Sequence, residues 1–124
     1  MVLIDTSSWT QALRRKGDPA VRERVDQLLS AQEAAWCDMV RVELWHGVAS
    51  DMDRNWLEEL EAELPSLQID ADVWNKACEL GRLCRSKGLT VPNTDLVIFA
   101  CALIHRVPLE HNDRHYAKLS EIVR

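Results

Sequence analysis

Apolar residues fall into two patterns along this chain. Short unbroken runs occur at Val2-Leu3-Ile4 and Ala34-Ala35-Trp36-Cys37, with further short apolar segments at Leu67-Gln68-Ile69 and Val107-Pro108-Leu109. Runs of this length bounded by polar or turn residues read as buried strands. Between them, apolar residues recur at helical spacing. Thr6-Ser7-Ser8 offers capping hydroxyls for a helix through Trp9, Ala12 and Leu13 into Arg14-Arg15-Lys16, closed by Gly17. Asp18-Pro19 is a cap followed by a proline at the first helical position, ahead of Val21, Val25, Leu28 and Leu29. Asp38 reads as the cap of a helix whose stripe is Met39, Val42 and Trp45, extending towards Val48. Residues 51–64 form an acidic surface helix with Trp56, Leu57 and Leu60 on one face, closed by Pro65. Residues 71–87 make a long helix with Val73, Ala77, Leu80 and Cys84 inward, stopped by Gly88. Residues 96–104 are apolar almost all round, which predicts a central helix. A last short helix after Asn112-Asp113 carries Tyr116 and Leu119. Short strands alternating with helices predict an α/β class, with a mostly parallel central sheet of four to five short strands.

Composition narrows this picture. A chain of 124 residues, 47% of them hydrophobic, is sized for one domain (1–124) with a real core. The apolar stretch Leu96–Ile104 is too short to span a membrane, and Met-Val-Leu-Ile-Asp is not a signal peptide, so a cytoplasmic protein is expected. The cysteines (Cys37, Cys78, Cys84, Cys101) lack the close pairing of zinc or redox motifs and read as buried thiols. The net charge of −5 argues against a general nucleic-acid coat protein but not against a nuclease, whose carboxylates contribute negative charge themselves.

The chemistry lies in where particular acids sit. Asp5 directly follows the first strand and Asp113 follows the last. Asp95 opens the nearly all-apolar helix, and Glu43 stands among Val40, Val42, Leu44 and Trp45. In open α/β sheets, functional groups gather beyond the carboxyl ends of the strands. Four carboxylates converging there would oppose one another's ionisation unless a cation joined them. An oxygen-only donor set selects a hard ion, Mg²⁺ or Mn²⁺. Each acid also has a plainer role open to it: Asp5, Asp95 and Asp113 as helix-start acids, Glu43 as a residue turned outward.

Four segments carry a family resemblance: Val-Leu-Ile-Asp-Thr-Ser (2–7), Val-Arg-Val-Glu-Leu-Trp-His-Gly (40–47), Pro-Asn-Thr-Asp-Leu-Val-Ile-Phe-Ala-Cys-Ala-Leu (92–103) and Asn-Asp-Arg-His-Tyr (112–116). Together they resemble the PIN-domain family, and most of all its VapC-like toxin branch. The resemblance spans essentially the whole chain. It implies a three-layer α/β/α domain and hydrolysis of RNA by a divalent-metal-dependent endoribonuclease. It makes Asp5 and Asp95 the principal ligands of Mg²⁺ (or Mn²⁺), with Glu43 and Asp113 completing the acidic site. Thr6 matches the hydroxyl that follows the first acid and is expected to orient it. A cognate antitoxin and a homodimer are also implied, the antitoxin laying an apolar helix on the toxin and directing a basic side chain at the acids. His111 departs from the Thr or Ser usual two residues before the last acid.

Substrate grip is expected from Arg114 and His115 beside Asp113, with Arg14-Arg15-Lys16 and Arg82/Arg85/Lys87 as further phosphate candidates. His46 and His105 read as structural or solvated. The five tryptophans read as core packing, with a partner surface as the alternative. Rival readings are a catalytically silent PIN-like binding module and an aspartyl-phosphate phosphotransfer protein using Asp5. The second lacks the acid two residues on that such a phosphatase motif requires.

Overall fold

A computed structural model of the chain describes residues 1–123. Its elements run β1 (Val2–Ile4), α1 (Thr6–Leu13), α2 (Pro19–Ser30), β2 (Ala34–Ala35), α3 (Asp38–His46), α4 (Asp51–Glu63), α5 (Ala71–Ser86), α6 (Asn93–His105), β3 (Leu109–Glu110) and α7 (Arg114–Ile122). The sheet is wholly parallel in the order β2-β1-β3. Leu3 faces Ala35 on one side and Leu109 on the other, so β1 is the central strand. Neighbouring strand residues point to opposite faces. Leu3 and Ile4 are both fully buried, so helices cover the sheet on both sides.

The sheet has three strands rather than the expected four to five. Leu67-Gln68-Ile69 does not form one: beside the sheet there is a single bridge between Trp36 and Ser66, with Leu67 N–H donating to the Trp36 carbonyl at 2.8 Å. The Gln68 carbonyl is taken instead by His105 Nε2 at 2.8 Å, and Pro65 has no N–H to extend the ladder.

Asp18 caps α2 as predicted, accepting from the Ala20 N–H at 2.9 Å. α1 is capped by Asp5 rather than by Thr6-Ser7-Ser8, and α5 by Asp70, which accepts from the Val73 N–H at 3.1 Å. α1 ends at Leu13 rather than running to Gly17. Gly17 is buried where the chain turns back on α1, and a Cβ there would overlap the Gln11 carbonyl. In α3 the cap position falls on Cys37, without a side-chain bond, and Asp38 is the first helical residue. The inward stripe of α3 is also turned from the expected one: Val40 and Leu44 are buried, whereas Val42 is 61% exposed.

The core joins both sheet faces to α6, in which every residue from Asp95 to Ala102 is buried. Trp9 and Trp36 are fully buried, Trp9 meeting Trp56 edge to face at 5.7 Å, while Trp74 is 48% exposed. Core packing therefore accounts for some of the tryptophans but not all. Cys37, Cys84 and Cys101 are buried free thiols, as expected, and Cys78 is an exposed one. No described helix is long and apolar enough to cross a membrane.

Candidate metal centre

Parallel strands send the segments that follow them out at one edge of the sheet. Asp5 leaves the end of β1, and its N–H donates to the Glu110 carbonyl at 2.9 Å as the last rung against β3. The chain leaving β3 delivers His111, Asn112 and Asp113 to the same edge. α3 brings Glu43 and the first turn of α6 brings Asp95. Asp5, Glu43, Asp95 and Asp113 line one open cleft of about 320 Å³, together with Thr6, Ser7, Thr10, Gln11, Arg14 and Asn112.

Asp5 is 3% exposed, and both of its oxygens are engaged. Oδ2 accepts from the Ser7 N–H at 2.9 Å and the Ser7 hydroxyl at 2.6 Å, so Asp5 also caps α1. Oδ1 accepts from the Tyr116 hydroxyl at 2.6 Å. The Tyr116 ring is fully buried, stacked on Phe99 and near His111, with its hydroxyl also 3.4 Å from Asp95 Oδ1. Burial first, and then Asp5, holds this phenol well above the usual tyrosine range. Its proton stays in place, and its hydroxyl lies between the two most buried acids.

Thr6 has a different partner from the one expected. Its hydroxyl donates to Glu43 Oε1 at 2.8 Å, while Ser7 orients Asp5. Ser7 Oγ also accepts from the Asn112 N–H at 2.8 Å, tying Asp5 to the segment that carries Asp113. Glu43 is half-buried on the flank of the Val40/Leu44 stripe. Its carboxyl is pushed up by burial, against the Thr6 hydrogen bond, with Asp5 and Asp113 adding to the rise.

Asp95 is 8% exposed, and its Oδ2 has no hydrogen-bond partner among the described residues. Burial, with Asp113 and Asp5 adding like charge, pushes its carboxyl up to about 7. Asp113 caps α7 by accepting from the His115 N–H at 2.8 Å. Burial opposes its ionisation, but the His115 N–H first, and then the adjoining Asp95 carboxyl and His115 ring, outweigh that and hold it below the ordinary value. The two neighbouring acids are therefore shifted in opposite directions, Asp95 up and Asp113 down.

The predicted site residues therefore separate as follows. The four acids share one cleft, with Asp95 and Asp113 close together and Asp5 joined to Asp95 through Tyr116. Beside the expected oxygen donors stands a nitrogen, His115 Nδ1, which approaches both Asp95 and Asp113. Arg114 is exposed and outside the cleft lining, as are Arg82, Arg85 and Lys87. Of the first basic group, Arg14 lines the cleft. Sequence reading missed Tyr116 and Ser7 as site residues. The Ser7 hydroxyl two positions after Asp5 was a usable signal, because Asx-type turns bond at that spacing. Nothing local marks the Tyr116 hydroxyl.

A divalent ion suits this arrangement. An orphaned buried carboxylate oxygen, two further acids in mutual opposition and an opening to solvent leave a deficit of positive charge that no described Lys or Arg fills by ion pairing.

The PIN-domain family model matches residues 2–122. A VapC ribonuclease of Mycobacterium bovis is 34% identical over 126 residues, covering 98% of this chain and 93% of the relative. Ribonuclease VapC18 of Mycobacterium tuberculosis is 32% identical over 123 residues, covering 96% and 87%. Among solved structures, VapBC2 from Rickettsia felis bound to a promoter DNA fragment superposes with a TM-score of 0.76 at 22% identity, covering 95% of this chain and 92% of that one. DNA-bound VapBC from Salmonella typhimurium gives 0.78 at 19% identity, covering 95% and 91%. These structural likenesses are of fold.

Proposed function

The chain belongs to the PIN-domain family, and from that premise we propose that it is a divalent-metal-dependent endoribonuclease acting as the toxin of a toxin–antitoxin pair. The observation that carries this reading is the convergence of Asp5, Glu43, Asp95 and Asp113 on one cleft with Asp95 Oδ2 left unpartnered. Asp5 and Asp95 would hold Mg²⁺ or Mn²⁺ as principal ligands, with Glu43 and Asp113 completing the site. Such an ion, when bound, supplies compact positive charge that acidifies water and offsets charge on a phosphodiester.

The chain's own residues do the rest. Ser7 and Tyr116 fix the Asp5 carboxylate from opposite sides, so it presents its free lone pairs in one direction. Thr6 holds Glu43 half-buried at the cleft wall, where burial makes its carboxyl keep a proton more readily than a solvated glutamate does. Arg14 at the cleft rim offers a phosphate contact. Asp5 as a phosphorylated nucleophile fits less well, since it is buried with both oxygens engaged. A silent binding module would have no use for four uncompensated acids.

One solved neighbour, VapBC-5 of Mycobacterium tuberculosis, is a member of the VapBC family of toxin–antitoxin systems, and a cognate antitoxin covering the acidic cleft is part of this reading, as are a homodimer, a single domain over 1–124 and a cytoplasmic location. The test is cleavage of total RNA by purified protein. Cleavage should require added Mg²⁺ or Mn²⁺, stop with chelator, and be lost in Asp5→Asn and Asp95→Asn variants that keep the wild-type circular dichroism. Chelator-resistant cleavage, or full activity in either variant, would overturn it.

A further inference from the structure

The site is built from acids, yet the group nearest to two of them is a nitrogen. His115 Nδ1 lies 2.9 Å from Asp113 Oδ1 and 3.2 Å from Asp95 Oδ2. These three residues each offer one donor atom, all within 4.8 Å of one another. Asp95 Oδ2 and His115 Nδ1 are both buried, and neither finds a hydrogen-bond partner of good geometry among the described residues. Two complementary buried atoms this close would ordinarily satisfy each other. Here they converge without bonding. Donor atoms occupying neighbouring positions around one small ion, each about 2.1 Å from it, stand about 3 Å apart.

Local sequence fixes the imidazole in place. Asp113 caps α7 through the His115 N–H at 2.8 Å, so cap and ring come from one tight turn and move together. The other histidines do not compete for this position. His105 Nε2 is engaged by the Gln68 carbonyl, and His111 Nδ1 faces the Asp113 N–H at 3.4 Å.

We propose that His115 Nδ1 is a metal ligand alongside Asp95 and Asp113, and that this nitrogen makes the site prefer Mn²⁺ to Mg²⁺. The inference rests on the reading of the acidic cleft as a divalent-ion site. Imidazole suits first-row transition ions, whereas Mg²⁺ favours oxygen donors and gives up water reluctantly. Exchanging one carboxylate-type position for a ring nitrogen therefore costs Mg²⁺ more than Mn²⁺. It also lowers the negative charge that the site must carry when empty.

Pulsed electron paramagnetic resonance of the full chain loaded with Mn²⁺ tests this without any mutation. The spectrum should show the ¹⁴N coupling of a directly bound imidazole. His111→Gln should keep that coupling and His115→Gln should lose it. By calorimetry, His115→Gln should weaken Mn²⁺ at least about tenfold and Mg²⁺ less than about threefold, while His115→Asp should narrow the preference for Mn²⁺. Bound Mn²⁺ with no nitrogen coupling in the wild type would overturn the proposal and leave the carboxylate site standing. So would coupling that survives in His115→Gln, or equal weakening of both ions. Mn²⁺ binding unchanged in Asp95→Asn would instead defeat the reading of the cleft itself.

Discussion

The chain has two acid-rich regions, and they are built in opposite ways. On α4 the acids meet cations. Arg54 lies 3.7 Å from Asp51 and 4.0 Å from Glu58, and Glu61 accepts from Arg41 at 2.8 Å and from the Trp45 indole at 2.7 Å. Glu61 is accordingly held below the usual carboxylate range, by the Arg41 hydrogen bond first and Trp45 second. In the cleft, Glu43 sits eighteen residues earlier in sequence, on a helix that packs against α4, and is pushed the other way. Its neighbours are Thr6, Asp5 and Asp113, with no described Lys or Arg in ion-pair reach. Acidity alone does not mark a functional region. What distinguishes the cleft is acid that has been buried and left without a cation.

The largest effect should come from cutting into the cleft. Asp95→Asn or Asp5→Asn should lower RNA cleavage at least about 100-fold, since metal stabilisation of a transition state is worth several kcal/mol. Without metal, the thermal midpoint of Asp95→Asn should stay level or rise by a few degrees, because an unpaired buried charge is removed. A variant that is both inactive and strongly destabilised would make Asp95 a structural residue.

Next comes Tyr116→Phe, which keeps the ring against Phe99 and removes only the hydroxyl between Asp5 and Asp95. Loss of a group that orients a ligand typically costs about 10–100-fold in metal affinity or activity. Calorimetry of Mn²⁺ binding should show a loss of about tenfold with the fold retained. Unchanged affinity would mean that Ser7 alone positions Asp5.

A smaller effect should appear in the pH dependence of stability. The native Asp95 carboxyl is pushed up to about 7, against about 3.9 for an unperturbed aspartate. The native state therefore holds a proton that the unfolded chain releases. This contribution is full below about pH 4 and is lost as pH rises through 7. The raised Glu43 carboxyl acts in the same direction and the lowered Asp113 in the opposite one. Melting of metal-free protein should show a fall across this window that Asp95→Asn flattens and saturating divalent ion removes.

Much of this was legible in the sequence, and the exceptions have physical causes. β1, the proline-led start of α2 and the inward stripe of α5 follow from local pattern, as does the placement of Asp5, Asp95 and Asp113 at strand ends or helix starts, while Glu43 was marked by its apolar neighbours within α3. The stripe of α3 was misread because Trp45 and Met39 are only partly buried, and the helix is set by Val40 and Leu44. Leu67-Gln68-Ile69 has a strand's composition, but its carbonyl is claimed by His105, a pairing thirty-seven residues away. The exchange of roles between Thr6 and Ser7 depends on how α1 faces α3. The approach of His115 to two acids depends on α7 docking beside α6. Both are tertiary facts with no local signature.

The smallest expected effect completes the comparison. Glu61→Gln on α4 should leave both the thermal midpoint and RNA cleavage close to those of the wild type, because exposed ion pairs contribute little.

One measurement sets the two regions against each other directly: isothermal titration of Mn²⁺ into the wild type, Asp95→Asn and Glu61→Gln at neutral pH. The account predicts saturable binding in the wild type and in Glu61→Gln, and its loss in Asp95→Asn. Equal binding by all three proteins would contradict it, because the ion would then owe nothing to the unpartnered acid at the base of the cleft.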